Sequence, residues 1–310
     1  MVIAVIDLGT NTCNLLIAEV ESGGKKGHIF YQGLEAVRIG EGGINNGILT
    51  KEAFKRAECA LLKHIEKINK YSAEKIFAFA TSAVRGASNK NDFLKYIREK
   101  TGISLQIISG EREAELIFKG VLFAFGNIPD NSLILDIGGG SNEYIFTSGN
   151  KILWKESFPL GMSRVIQKFK MSDPVTKDEI AEIEDFFRMG HKNLFDMLKG
   201  KQINQLIGCS GAFDTIADFK DGVSAGSINR ITEEIPLNEF MLIYKKIIES
   251  TVLQRKEMIE MSPFRETLIV PSLILMKFIL ESFHIKQIFQ TGFSLREGAW
   301  EEITKGQENV

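Results

Sequence analysis

Three absences narrow the field before any motif is read. The chain of 310 residues holds no long uncharged hydrophobic run, because Lys277 interrupts its longest apolar segment. No stretch therefore suits a helix across a bilayer. Cysteine is scarce: Cys13, Cys59 and Cys209 are far apart, odd in number and without paired metal spacing. That argues against a disulfide framework and points to a reducing, cytoplasmic setting. Neither sign of charge prevails, since 38 Lys and Arg face 40 Asp and Glu for a net charge of -2. Broad nucleic-acid affinity is not expected, and any anion site must be local. The four histidines (His28, His64, His191, His284) are scattered, with no pair at ligand spacing, so core or surface roles are expected of them. The apolar opening has no basic leader and is broken by Asp7 and Asn11; it reads as a buried strand, not a signal peptide.

What the chain does have is one local pattern used twice. Asp7-Leu8-Gly9-Thr10-Asn11-Thr12 and Asp136-Ile137-Gly138-Gly139-Gly140-Ser141 stand 129 residues apart. Each follows an apolar run and leads into another, which is strand, tight turn, strand. Glycine with small hydroxyl or amide residues lets backbone approach a ligand closely and aim its N–H groups at an anion. The candidate phosphate-binding residues are therefore Thr10, Asn11 and Thr12 in the first loop and Gly138, Gly139, Gly140 and Ser141 in the second. Each first strand also ends on an aspartate. Carboxylates near a phosphate repel it unless a cation lies between, so Asp7, Asp136 and Glu143 are expected around Mg2+ or another divalent cation.

The elements around the loops repeat as well. Three strands (2–7, 13–19, 29–39) are followed by a glycine-rich loop at 40–47 and a helix capped by Thr50 that runs to Tyr71. A strand at 75–80, a turn, a helix at 91–100, a strand at 104–108 and a helix from Glu111 to about Phe125 complete the first half. The second half offers strands at 132–136, 142–147, 151–158 and 202–208 and a last one at 287–290. Its helices are expected near 162–170, 177–198, 237–249, 251–260 and 264–283 and from Leu295, with 218–230 as loop. The fold class is therefore α/β, with two ribonuclease-H-like (actin-like ATPase) domains and a cleft between them. The boundaries fall at 1–125 and 126–296, with the terminal helix 297–310 a candidate to join the first domain.

The segments DLGTNTCNLLIAEV, RIGEGG, ATSAVRGASNKNDFL, ISGEREAELIFKGV, LILDIGGGSNEYIF, SFPLGMSRV, GCSGAFDTIA and TGFSLREGAW resemble the exopolyphosphatase and guanosine pentaphosphate phosphohydrolase (Ppx/GppA) family, in its short two-domain form, within the actin, Hsp70 and sugar-kinase superfamily. The resemblance implies that Glu113, the Glu immediately before Ala in the SGxxEA segment, activates water. Taken alone, a Glu in the first turn of a helix is more often a partner for the helix dipole. It also implies a phosphate-contacting role for Arg85, where the bland alternative is a surface ion pair with a nearby carboxylate. Arg38, Lys119 and Arg164 are further candidates to line the cleft. The activity so implied is hydrolysis of terminal phosphoanhydride bonds of inorganic polyphosphate. Two other readings stay open: a guanosine pentaphosphate phosphohydrolase, and a sensor that binds nucleotide or polyphosphate without turnover. The partner expected is the polyphosphate or guanosine polyphosphate substrate, with no nucleic acid and no membrane; a homodimer is left open.

Overall fold

The computed structural model describes residues 1–20 and 27–306. In chain order its first elements are β1 (Val2–Leu8), β2 (Thr12–Glu19), β3 (Ile29–Ala36), α1 (Lys51–Lys70), β4 (Lys75–Ala80), α2 (Ser82–Arg85), α3 (Lys90–Thr101), β5 (Gln106–Ile107) and α4 (Gly110–Phe125). Next come β6 (Ser132–Ile137), β7 (Asn142–Ser148), β8 (Lys151–Phe158), α5 (Met162–Lys168), α6 (Lys177–Gly190), α7 (Lys192–Leu198), β9 (Gln205–Cys209) and α8 (Gly211–Asp221). The last are β10 (Thr232–Ile235), α9 (Leu237–Ile248), α10 (Val252–Glu257), α11 (Ile269–Ser282), β11 (Gln287–Thr291) and α12 (Leu295–Thr304). They group into two compact units: unit 1 holds Met1–Phe123, Gly138–Gly140 and Phe293–Val310, and unit 2 holds Ala124–Ile137 and Ser141–Gly292.

Unit 1 is a five-stranded sheet in the order β3-β2-β1-β4-β5, with β1 antiparallel to β2 and parallel to β4. β1 is central, and Ile3 to Ile6 are all fully buried, as a strand covered on both faces requires. Ala4, Ile6 and Leu8 share one core with Ala53, Ala57 and Leu61 of α1 and with Phe93 and Ile97 of α3. The α1 stripe follows the helical period, and the Thr50 hydroxyl accepts the Ala53 N–H at 3.1 Å as its N-cap. α12 lies against β1 and β2. It also packs tightly on α4: a Cβ on Gly298 would stand 1.8 Å from the Leu116 carbonyl oxygen, so only glycine permits this approach. Glu302 of α12 takes ion pairs from both Arg112 and Lys119 of α4, and Trp300 donates its indole N–H to the Glu19 carbonyl at 2.8 Å. Of the terminal helix expected over 297–310, positions 307–310 lie outside the described residues.

Unit 2 is a six-stranded sheet in the order β10-β11-β9-β6-β7-β8. Its core runs from Leu133 and Leu135 of β6 through Phe213 and Ile216 of α8 to α11. Eleven of the fourteen residues of α11 are buried, and its charged positions Lys277 and Glu281 pair with each other on the remaining face.

The sequence expectations differ from the structure at several places. The helix expected over 177–198 is two, α6 and α7, interrupted at Gly190 and the buried His191. β10, with the polar sequence TEEI, forms just past the expected loop, where no element was expected, by pairing with β11; an edge position supplies hydrogen bonds without demanding an apolar face. α8 extends to Asp221, into the expected loop. α2 occupies the expected turn before α3. α11 starts at Ile269, not Phe264, because Phe264 takes a positive φ of 68° that a helix cannot hold.

His191 has a thermodynamic consequence. Its Nδ1 donates to the Phe187 carbonyl at 3.0 Å, its Nε2 is buried without a partner, and the rings of Tyr144, Phe158 and Phe187 surround it. Burial pushes the imidazole down from 6.5 to about 4. The unfolded chain takes this proton near pH 6.5 while the folded one refuses it until about 4, so the contribution is fully present above pH 6.5 and lost as pH falls toward 4. The shift corresponds to about 3 kcal/mol. Urea unfolding at pH 7.5 and 4.5 should show a steeper acid loss for wild type than for His191→Phe. Equal losses would contradict the assignment.

Candidate active site

The β1–β2 hairpin sets Asp7 opposite Asn14 and Leu8 opposite Cys13. Its turn closes with the Gly9 N–H donating to the Thr12 carbonyl at 2.9 Å. The Asn11 carbonyl accepts from the Val37 and Arg38 N–H groups at 2.8 and 3.1 Å, and the Thr10 carbonyl accepts from Gly40 at 3.3 Å. The negative ends of these turn dipoles are thus engaged by segment 37–40, which removes an obstacle to an anion at the turn. The second glycine turn, Gly138–Gly140, belongs to the same unit. A Cβ on Gly140 would stand 2.5 Å from Thr10 Oγ1 and 2.7 Å from Ser82 Oγ, so the approach of this turn to Thr10 requires glycine. Thr10 and Ser82 are both buried.

β4 and β5 deliver the charged pair. β4 runs parallel to β1, and where it ends the Thr81 N–H donates to the Leu8 carbonyl at 3.2 Å. α2 follows at once and ends on Arg85. From β5 the chain turns into α4, where the Ser109 hydroxyl accepts the Arg112 N–H at 3.1 Å. Glu113 falls in the first turn of α4, where exposed amide dipoles favour a carboxylate. It is 7% exposed. Arg85 Nη1 donates to Glu113 Oε2 at 2.8 Å and to the Ile108 carbonyl at 3.0 Å. The carboxylate that pairs with Arg85 is therefore the one singled out as a base.

Asp7 sits at the end of β1. Its Oδ2 accepts from the Asn14 amide at 3.3 Å, while Oδ1 is buried without a hydrogen-bond partner. Burial pushes its carboxyl up to about 6, against the pull of the Arg296 charge and the Asn14 amide, and Glu297 pushes the same way as burial. Thr10 Oγ1 is likewise buried without a partner. Unsatisfied hard oxygens of this kind fit a hard cation. In unit 2, Asp136 and Glu143 are register partners across β6 and β7. Glu143 is 1% exposed and accepts the Ser157 hydroxyl at 2.6 Å, and the Cys209 thiol approaches Asp136 Oδ2 at 3.7 Å. Ser141 is buried at the start of that hairpin. Among the described residues no group of three or more His, Cys, Asp or Glu side chains is arranged to hold a metal ion. Lys119 is committed to Glu302, Arg164 is half-buried on α5, and Arg38 is exposed beside the first turn. Asn14, Ser82 and Arg296 escaped the sequence reading. Asn14 carried a signal, since it follows Asp7 by the same seven positions that separate Asp136 from Glu143.

Two mixed sheets, each carrying an antiparallel hairpin closed by a turn of glycine and small polar residues, place the protein in the two-domain actin-like α/β class. Within that class the chain belongs to the Ppx/GppA phosphatase family, whose pattern matches residues 16–305. It is similar to an exopolyphosphatase from Cytophaga hutchinsonii of known crystal structure, with 33% identity and a TM-score of 0.92 over 99% of this chain and 98% of that one. It is 34% identical over 297 residues to a bifunctional 3-dehydroquinate synthase/phosphatase of Fusobacterium nucleatum, a match that covers 90% of this chain but 43% of that protein. Exopolyphosphatase 2 of Mycobacterium tuberculosis is 27% identical over 275 residues, 86% of each chain. Among the described residues no helix is long and apolar enough to cross a membrane.

The Arg85–Glu113 pair makes an energetic prediction. Arg85→Ala leaves a buried carboxylate without its guanidinium and should cost about 1–3 kcal/mol. Glu113→Gln keeps an acceptor for Arg85 and should cost less. In urea unfolding the double variant Arg85→Ala/Glu113→Ala should lose less than the sum of its two single changes. Strict additivity would show that the two side chains do not interact.

Proposed function

We infer that the protein hydrolyses the terminal phosphoanhydride bond of inorganic polyphosphate, releasing orthophosphate, with Glu113 as general base. The observation that carries this reading is the 2.8 Å contact between Arg85 and Glu113 in the unit that also holds both glycine turns. A base for water and a guanidinium for phosphate need to be neighbours, because the attacking oxygen and the phosphoryl group meet in one transition state. The family membership and the exopolyphosphatases similar to this chain support the same class of reaction.

In this mechanism the terminal phosphoryl group rests on the Thr10–Thr12 and Gly138–Gly140 turns of unit 1, and Arg85 takes part of its charge through charge-assisted hydrogen bonds. Glu113 accepts a proton from a water in line with the terminal phosphorus. The water oxygen bonds to phosphorus, the bridging P–O bond breaks, and the electron pair leaves with the shortened chain. A divalent cation, Mg2+ or another, neutralises charge on the phosphate oxygens when bound. Within unit 1 the carboxylate available to such an ion is Asp7, whose Oδ1 is buried without a hydrogen-bond partner.

Released phosphate from purified protein with Mg2+ and either long-chain polyphosphate or guanosine pentaphosphate tests the reading. Polyphosphate should be consumed, and Glu113→Gln should lower kcat by at least about a hundredfold while substrate binding persists. Turnover of the guanosine nucleotide alone would replace the substrate assignment. Tight binding of either compound without any release would favour a sensor. A Glu113→Gln protein that turns over at the wild-type rate would remove the base.

A further inference from the structure

Arg38 is held in a conformation that no nearby helix end explains. Its φ is 42°, in the left-handed region that non-glycine residues enter at a cost and that clusters at functional sites. Ser72 and His284, at φ of 53° and 54°, also lie in this region, but each closes a helix: Ala73 N–H reaches back to the Ile68 carbonyl and Ile285 N–H to the Leu280 carbonyl. Arg38 follows strand β3 and closes nothing of that sort. The surrounding structure nevertheless fixes it from several sides. Its own N–H donates to the Asn11 carbonyl at 3.1 Å, and the Arg56 guanidinium donates to the Val37 carbonyl at 2.8 Å and to the Arg38 carbonyl at 2.7 Å. Two residues on, Gly40 is tied to the Thr10 carbonyl. The backbone of Arg38 is thereby fastened to the turn that takes phosphate, while the residue is exposed and no ion pair engages its guanidinium among the described residues.

A cation free of carboxylates, on a strained and doubly anchored backbone next to an anion turn, is arranged for a ligand and not for the fold. We propose that Arg38 is a substrate-binding residue that takes a phosphate of the polyanionic chain beside the group held at Thr10–Thr12. This assignment rests on the polyphosphate reading above. The guanidinium suits it because its planar fork bonds two phosphate oxygens at once.

Glycine at this position separates the two roles, because it relieves the backbone strain and removes the cation together. With polyphosphate as substrate, Arg38→Gly should raise KM by about tenfold or more, the effect of one lost charge-assisted bond, with kcat within about twofold and Tm no lower than wild type. Arg38→Lys, which keeps the charge, should recover most of the affinity. Titration of polyphosphate into each protein by calorimetry should show the same loss and the same rescue without relying on turnover. A KM and a Kd within about twofold of wild type for Arg38→Gly would overturn the proposal. So would a fall in Tm that accompanies the weakened binding, because the residue would then serve the fold. Absence of phosphate release by the wild type would sink the hydrolase reading instead, and the calorimetric comparison would still judge Arg38.

Discussion

The ion pair between Arg85 and Glu113 is the contact on which the functional account turns, and the rest of unit 1 can be understood as what holds it. Its two halves arrive from different crossover connections. Arg85 comes off the end of β4 through a single turn of helix, and Glu113 comes off β5 through the start of α4. They meet because β1, β4 and β5 run parallel and in register, so both chain exits leave from the same edge of the sheet. The Ile108 carbonyl, at the close of β5, takes a second hydrogen bond from Arg85. The guanidinium is therefore aimed by backbone as well as by the carboxylate, and its position does not depend on Glu113 alone.

The first turn and its supports form a second layer of the same logic. Strand β1 ends at Leu8, whose carbonyl also receives the Thr81 N–H that introduces α2, so the first glycine turn and the arginine are linked through one residue of backbone. Burial raises the Asp7 carboxyl, one position earlier, to about 6, and the charge of Arg296 on α12 pulls it down. That helix reaches the sheet only because Gly298 allows it to lie on α4. A helix more than 280 positions down the chain thus shapes the electrostatics of a carboxylate in the first strand.

Much of this could be read from the amino acids, and the remainder has a common physical reason for being hidden. The strands flanking both loops, the capped α1 and the largely apolar α11 declared themselves through hydrophobic runs, helical period and turn chemistry, all of which are local. β10 did not, because Thr232–Ile235 carries no apolar alternation and becomes a strand only by pairing with β11. The break between α6 and α7 falls at His191, which is buried against the rings of Tyr144 and Phe158 from distant strands as well as Phe187, contacts that the local sequence does not reveal. At the site, the turn residues followed from their own composition, while Glu113 and Arg85 were named separately through the family resemblance. Their contact joins positions 28 residues apart, and neither its existence nor its geometry is written in either segment. The same holds for Ser82 beside Gly140 and for Arg296 near Asp7.

The most direct test of the central claim is a crystal structure of the Glu113→Gln protein with a phosphate chain bound. The account predicts the terminal phosphate in contact with Arg85, and a water within roughly 3 Å of the residue 113 amide oxygen and in line with the terminal phosphorus. A terminal phosphate bound out of reach of both side chains, with Arg85 still paired to residue 113, would contradict it.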